Sequence, residues 1–385
     1  MLPIDTMLWF TLLTALPALA AGVTLYNLSA WPRGRAEGAF DGEVSVLVPA
    51  RNEAESIDAT LRSIVDARTR VDEILVYDDR STDATPGKVQ SWAARDDRVR
   101  LIEGRPLPEG WVGKPHACHR MAQQARGDVL VFLDADTRIL PGGLGRLADL
   151  MSRWTDVGLF TAMPRQKMVT FFERMIVPLL HLTYTSWLPL TLIWQTDDPR
   201  LLAANGQLMA IRRESLEAVG GFASVRDAVV DDMALCRRFK EAGEGVLFAD
   251  GFEMATCRMY ESGAEIWEGF SKNLYEGVGG GPLRLLAIVG LYLAAFVLPW
   301  VVAMLAVVGV LVDPLWLSAG LTGVGLNVLL RAALVWRFRH PFEGVLLHPL
   351  AVVSLVIIAF NSWIWSANDS IRWAGRTYRG HRDGG

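Results

Sequence analysis

The hydrophobic pattern changes character three times along the chain. From Met7 to Ala30 the run MLWFTLLTALPALAAGVTLYNLSA carries no charge and is long enough to cross a bilayer. A cleaved signal peptide would also be apolar, and ALAAG resembles a cleavage site. However, Lys and Arg are absent before the run, while Arg33 and Arg35 follow it. That asymmetry favours an uncleaved anchor (residues 1–30) with its C-terminal side in the cytoplasm. Residues 31–43 read as a polar linker. Short apolar runs then alternate with helical stretches. VSVLVPA (44–50), EILVYDD (73–79) and DVLVFLDAD (128–136) predict buried strands, with helices over 54–67 and 114–126 between them. Strand, helix, strand in this rhythm predicts an α/β, mostly parallel, Rossmann-like sheet. Ligands of such sheets bind beyond the carboxyl ends of the strands, where the acidic residues of all three runs fall.

Apolar character returns at 171–194, broken by Pro178, Pro189, His181 and the Glu173–Arg174 pair. This stretch predicts an interfacial or re-entrant segment, or else a buried core helix. A second amphipathic stretch covers 264–277. Beyond Gly279-Gly280-Gly281-Pro282 come three hydrophobic blocks, 285–312, 314–336 and 344–366, with Trp300, Trp316, Trp336, Trp363 and Trp365 near plausible interfaces. These predict about three C-terminal membrane segments within 283–370 and a basic tail at 371–385. Three simple crossings would leave that tail outside despite its arginines, so either one block is re-entrant or the first holds more than one segment.

Composition sharpens this division. Hydrophobic residues make up 51% of the 385 positions and charged residues 21%, a balance that points to a membrane protein. The net charge of -4 conceals an uneven distribution. Residues 1–30 contribute -1 through Asp5, and 283–385 contribute +4 from eight Arg against four acids, which leaves -7 for the middle. An acidic middle excludes a nucleic-acid groove. Three scattered cysteines, Cys118, Cys236 and Cys257, form neither a disulfide framework nor a zinc site and fit a reducing compartment.

Candidate chemistry lies at the strand ends. Asp134-Ala135-Asp136 offers two carboxylates that can hold a hard cation, which can in turn neutralise a diphosphate leaving group. In Asp78-Asp79-Arg80-Ser81-Thr82-Asp83, helix capping explains Ser81 to Asp83; the two preceding carboxylates could bind a base or ribose hydroxyl. Pro49-Ala50-Arg51-Asn52-Glu53 opens a helix, where Glu53 could serve the first-turn dipole. Lys114 can offer a cation to phosphate or be an ordinary solvated lysine. Asp231-Asp232 heads a predicted helix; one carboxylate could cap it and the other could act as general base. His116 and His119 lie three apart on a predicted helix without a partner spacing that supports zinc. No nucleophile elbow, Walker loop or GxGxxG occurs in a suitable context.

Together, VPARNE, DDRSTDAT, GK, DADT, ANGQLMAIRRESLEAVGGF and VDDMAL, in that order over about residues 44–280, resemble the motifs of family 2 glycosyltransferases, inverting enzymes with the GT-A fold. The resemblance implies a GT-A domain over 44–282 and a nucleotide-sugar site. Glu53 and Asp79 would bind the nucleobase and ribose beside Pro49 and Asn52. Asp134 and Asp136 would bind the nucleotide and a divalent cation (Mn2+ or Mg2+), with Asp136 the principal ligand, and Lys114 would lie near the phosphates. Asp232 matches the catalytic base position and Asp231 its acidic neighbour. Asn205, Gly206 and Gln207 match a segment lining the donor sugar and acceptor. The Gln/Arg-x-x-Arg-Trp motif of processive synthases is incomplete, because Ile266 precedes Trp267. Arg258 and Trp267 are the acceptor-region candidates. The anchor and C-terminal blocks look closer to the ceramide glucosyltransferase-like branch, which includes hopanoid- and carotenoid-associated bacterial enzymes. The resemblance therefore implies hexose transfer, with UDP-glucose the expected donor, to a hydroxyl of a membrane lipid by an integral protein of the inner membrane, its catalytic domain cytoplasmic. A processive polysaccharide synthase, a nucleotidyltransferase on a similar sheet and a non-catalytic membrane scaffold are the competing readings.

Overall fold

The computed structural model describes residues 4–368, 370–373 and 376–378. Much of the basic tail read at 371–385 lies outside the described residues. The chain divides into two compact units, 31–167 with 190–259, and 1–30 with 168–189 and 260–385. The division does not follow a continuous 44–282 span.

The first is an α/β unit. Its strands are β1 (Val44–Ala50), β2 (Glu73–Asp78), β3 (Val99–Glu103), β4 (Val129–Leu133), β5 (Thr137–Ile139), β6 (Val157–Gln166), β7 (Leu208–Arg212) and β8 (Gly245–Cys257). Its helices are α2 (Ile57–Val65), α3 (Thr85–Ala93), α4 (Gly113–Gln124), α5 (Gly143–Arg153), α8 (Thr191–Gln195), α9 (Arg213–Ala218) and α10 (Asp231–Glu241). The strands form one sheet in the order β3-β2-β1-β4-β7-β6-β8-β5. Strands β1 to β4 are parallel to one another, as the buried apolar runs predict. β7 runs antiparallel between β4 and β6, so residues just before Leu208 start at the edge where β4 ends, with Leu133 opposite Leu208. β8 is parallel to β6, and this brings Gln166 opposite Cys257 at that same edge. The core is the aliphatic face of this sheet, including Val46, Val48, Ile74, Val76, Val131 and Leu133, packed on Ile57, Leu61 and Ile64 of α2. Residues 31–43 do not behave as a free linker. Trp31 Nε1 donates to Phe248 O at 3.0 Å, and Arg33 pairs with Asp250 at 3.0 Å.

The second is a helical unit. It comprises α1 (Ile4–Ala30), α6 (Phe171–Ile176), α7 (Leu179–Ser186), α11 (Gly263–Gly277), α12 (Pro282–Phe296), α13 (Leu298–Val307), α14 (Pro314–Phe338), α15 (Glu343–Leu346) and α16 (His348–Ala367), with an antiparallel pair of short strands, β9 (Ile371–Trp373) and β10 (Arg376–Tyr378). Among the described residues, four stretches are long and apolar enough to cross a membrane: Leu13–Ala30, Pro282–Val307, Pro314–Phe338 and His348–Ala367. The first C-terminal block breaks near Pro299, where the ring removes a helical donor, which gives α12 and α13. The 171–194 stretch becomes three short helices divided around Pro178 and Pro189, each too short to span.

Polar ties and small residues hold the helical unit together. Asn27 on α1 donates to the carbonyls of Thr185 and Leu188, each at 2.8 Å, and Thr24 lies 3.4 Å from the Ser186 hydroxyl. On α14, a Cβ at Gly320 would come within 2.6 Å of Ala303 N, and one at Gly323 within 2.5 Å of Leu13 O. Helices can approach this closely only where the side chain is absent, the usual device of packing in lipid.

Candidate active site

The β1 and β2 loops are built as one piece. Asn52 adopts a left-handed conformation (φ 57°), which short polar side chains tolerate, and Arg80 does likewise (φ 58°). Asn52 N donates to Ser81 Oγ at 2.9 Å, and Asn52 Oδ1 accepts from Thr82 N at 2.8 Å. Glu53 N donates to Thr85 Oγ1 at 2.8 Å and Ala54 N to Asp83 Oδ2 at 3.0 Å. Only part of the capping expectation therefore applies: Asp83 accepts from Thr85 N at 3.0 Å, but Ser81 and Thr82 serve the opposite loop. Asp79 N donates to Ala50 O at 2.8 Å, and Arg51 reaches back to Asp79 O at 2.6 Å. Pro49, Asn52, Glu53 and Asp79 thus share one platform at the carboxyl ends of β1 and β2.

Lys114, in the first turn of α4, joins the remaining motifs. Its Nζ lies 2.5 Å from Asp134 Oδ1 and 3.3 Å from Gly206 O. A Cβ on Gly206 would sit 3.2 Å from Lys114 Nζ and 3.4 Å from Asp232 Oδ2, so the glycine lets three motifs meet. Asp134 N donates to Gln207 O at 3.1 Å. Asn205 is fixed by reciprocal bonds with Thr161, Asn205 N to Thr161 Oγ1 and Thr161 Oγ1 to Asn205 O, both 2.8 Å; its Oδ1 accepts from Gln207 N at 3.1 Å. Asp231 and Asp232 open α10, where the helix dipole favours carboxylates, and Asp232 Oδ1 accepts from Met233 N at 2.8 Å.

Burial and charge set the protonation of this cluster. Burial opposes the Lys114 charge, but Asp134 and then Asp231 outweigh it and hold the ammonium above the usual lysine range. For Asp232, burial raises the carboxyl above its ordinary range and Lys114 pulls it partly back. Burial, then the Asp134 charge, push Asp136 up to about 6, against hydrogen bonds from Cys257 and Thr137. Glu53 is pushed up to about 7 by burial, offset in part by the Ser56 hydroxyl and reinforced by Asp136 and Asp134.

Two side chains that carried no motif also belong here. Gln207 Nε2 donates to Cys257 Sγ at 3.2 Å, and Gln166 Nε2 donates to Gln207 Oε1 at 2.8 Å. Only strand register, with Gln166 opposite Cys257 and Cys257 opposite Thr137, reveals them. Arg258 follows β8 at the same edge. Trp267 lies on α11 of the helical unit, partly exposed. His116 and His119 instead pack on the Trp111 ring, at centroid distances of 5.4 and 5.0 Å.

The donor set suits a hard cation that a substrate helps to hold. Asp134 and Asp136 are the two carboxylates that could supply oxygen ligands, and among the described residues no group of three His, Cys, Asp or Glu could hold a metal alone. Mg2+-like cations commonly take one or two carboxylates, with phosphate and water oxygens completing the shell.

The Glycosyl transferase family 2 model matches residues 45–220. The chain is 25% identical over 372 residues to a 4,4'-diaponeurosporenoate glycosyltransferase of Staphylococcus aureus (strain MRSA252), covering 94% of this chain and 95% of that one. The counterpart from strain USA300 is 26% identical over 280 residues, 72% of each chain. Among solved structures, the mannosyltransferase PcManGT of Pyrobaculum calidifontis, in complex with GDP-Man and Mn2+, superposes with a TM-score of 0.54 at 20% identity, over 93% of this chain and 99% of that one. The strand-end motifs and the mixed, mostly parallel sheet agree with these matches: residues 45–220 are a family 2 glycosyltransferase domain, the α/β unit has the GT-A fold, and the protein is a glycosyltransferase.

Proposed function

We propose that the protein moves a hexose from a nucleotide sugar to a hydroxyl of a membrane lipid by a single, inverting displacement. The observation that carries this reading is the contact of Lys114 with both Asp134 and Gly206, with Asp232 against the same glycine, which joins four motifs in one site. Glu53 and Asp79 hold the nucleobase and ribose, and Lys114 and Asp134 face the diphosphate. The acceptor oxygen attacks the anomeric carbon as its bond to the diphosphate breaks, and the acceptor proton passes to Asp232. Burial suits Asp232 to that task, because it raises the affinity of the carboxylate for a proton. Asp136 and Asp134 would hold the divalent cation, which when bound supplies charge neutralisation for the departing nucleoside diphosphate. Asn205 and Gln207, each fixed by hydrogen bonds, line the sugar.

The name of the Staphylococcus relatives supports a carotenoid-type lipid acceptor, and the four apolar spans support delivery from the bilayer. UDP-glucose is the donor we expect; the GDP-Man complex of the structural relative makes GDP-mannose the first donor to test beside it. Arg33 and Arg35, which follow α1, support placing the domain on the cytoplasmic face of the inner membrane.

The test incubates detergent-purified protein with UDP- and GDP-sugars, Mn2+ or Mg2+, and a lipid extract. Nucleoside diphosphate release and new glycolipids are read together, beside Asp136→Ala and Asp232→Asn. A lipid gaining one hexose, only with added cation and in neither variant, is the expected result. Long polymer would replace the reading with a processive synthase, pyrophosphate release with a nucleotidyltransferase, and glycosylation of soluble acceptors alone would overturn the lipid acceptor.

A further inference from the structure

The helical unit buries a positive charge that forms no ion pair among the described residues. Arg331 lies within α14, one of the apolar spans, and is fully buried. Its guanidinium donates to two backbone carbonyls, Gly344 O at 3.1 Å and Pro178 O at 3.5 Å, while Nε has no partner. A guanidinium has five N–H donors and stays charged at any pH a protein meets, so two carbonyls leave it under-bonded. By contrast, Arg174 of the same unit meets Glu343 at 2.9 Å.

Three histidines, His181, His340 and His348, are buried in the same unit, and His181 lies on the helix that follows Pro178, whose carbonyl Arg331 contacts. His340 Nε2 sits 3.2 Å from His181 Nδ1, while His181 Nε2, His340 Nδ1 and both nitrogens of His348 have no hydrogen-bond partner. Burial, then the charges of Arg337 and Arg331, push His181 down to about 3; burial, His181 and Arg331 press His340 well below its usual value. Both rings are therefore neutral, and because the bond between them uses the N–H of one ring, the pair keeps a single N–H to offer. A metal does not explain the cluster, since among the described residues no three such ligands converge.

An unpaired charge and several unsatisfied N–H groups among apolar helices cost several kcal/mol unless an acceptor joins them. We infer that Arg331, with His181, His340 and His348, forms a binding site inside the helical unit for the oxyanion of a lipid, a carboxylate or a phosphate carried on an apolar chain. The charge selects the anion, the planar guanidinium favours two-oxygen groups, and the surrounding spans favour an occupant arriving from the bilayer. This site is separate from the transfer reading and needs no sugar donor.

The experiment titrates the full-length protein, in neutral detergent and without nucleotide, with hexadecanoate, hexadecyl phosphate, hexadecanol and inorganic phosphate, and binding is read by native mass spectrometry and calorimetry. Both charged lipids, or one of them, should bind about tenfold to a hundredfold more tightly than the alcohol. The tighter of the two identifies the headgroup. Arg331→Gln should abolish the difference and Arg331→Lys retain a reduced preference for charge. Equal binding of acid and alcohol by the unaltered protein overturns the proposal, with no variant needed. Unchanged preference in folded Arg331→Gln overturns it too. Inorganic phosphate binding as tightly as the lipids would overturn the lipid assignment. None of these results bears on sugar transfer, which is measured separately.

Discussion

The two units both bury charge, and they settle it in opposite ways. In the α/β unit Lys114 stands among Asp134, Asp231 and Asp232, so its positive charge is answered more than once, and the surplus is negative. In the helical unit Arg331 and its histidines gather with no carboxylate, and the surplus is positive. A site with surplus acid suits cations and protons, whereas one with surplus base suits anions. The α/β cluster is also cross-linked by hydrogen bonds between segments distant in sequence, so its geometry is over-determined. Arg331 is held by two carbonyls alone. The first arrangement suits chemistry that tolerates little displacement; the second suits binding, where the occupant completes the order.

The contrast can be broken or sharpened by substitution. The largest effect is expected from Asp232→Asn, which removes the base but keeps the shape. Turnover should fall by about a thousandfold with nucleotide affinity nearly unchanged, read by diphosphate release and calorimetry. Lys114→Met comes next. It leaves Asp134 without its partner, and donor affinity should fall about tenfold to a hundredfold. Unaltered donor binding would show that the pairing is not what organises this unit.

Gly206→Ala probes the same meeting point by a methyl group. At 3.2 Å from a flexible ammonium the new Cβ can be accommodated by a shift of a few tenths of an ångström, so turnover should drop about tenfold while thermal stability holds. In the helical unit, Asn27→Ala deletes two bonds to the carbonyls of Thr185 and Leu188 and should cost about 1 kcal/mol, seen as a lower melting temperature without a change in nucleotide binding.

A further effect concerns pH. Glu53 ionises near 7 in the native protein against an ordinary 4.5, so the native state holds this proton more tightly than the unfolded chain. Its ionisation therefore costs stability as pH rises between those values. Glu53→Gln should melt a few degrees above the unaltered nucleotide-free protein at pH 8 and match it at pH 4. A variant less stable at pH 8 would contradict the assigned environment.

Much of the α/β site was legible because its chemistry is local. Asp134-Ala135-Asp136 ends an apolar run, and Asp231-Asp232 opens a helical one, so pattern alone puts them at element ends. Strand reversal was not legible: that β7 runs antiparallel beside β4, and so delivers Asn205 to Gln207 to the acidic edge, depends on pairing between distant segments. The same holds for Gln166 and Cys257. In the helical unit, hydropathy located the spans, but it could not show that Pro178 and Pro189 would cut 171–194 into short helices. Nor could it show that Arg331, His181 and His348, far apart in sequence and in no motif, would share an interior.

Asn27 also sets a timetable. α1 leaves the ribosome well before α7, and the carbonyls that Asn27 binds lie about 160 residues downstream, at Thr185 and Leu188. At usual rates of synthesis that gap lasts on the order of ten seconds. During it a polar amide must wait within an apolar helix, either beside the insertion machinery or facing the headgroups. The anchor is thus made well before the segment that locks it, and synthesis of the whole α/β strand run from β1 to β6 falls within its waiting time.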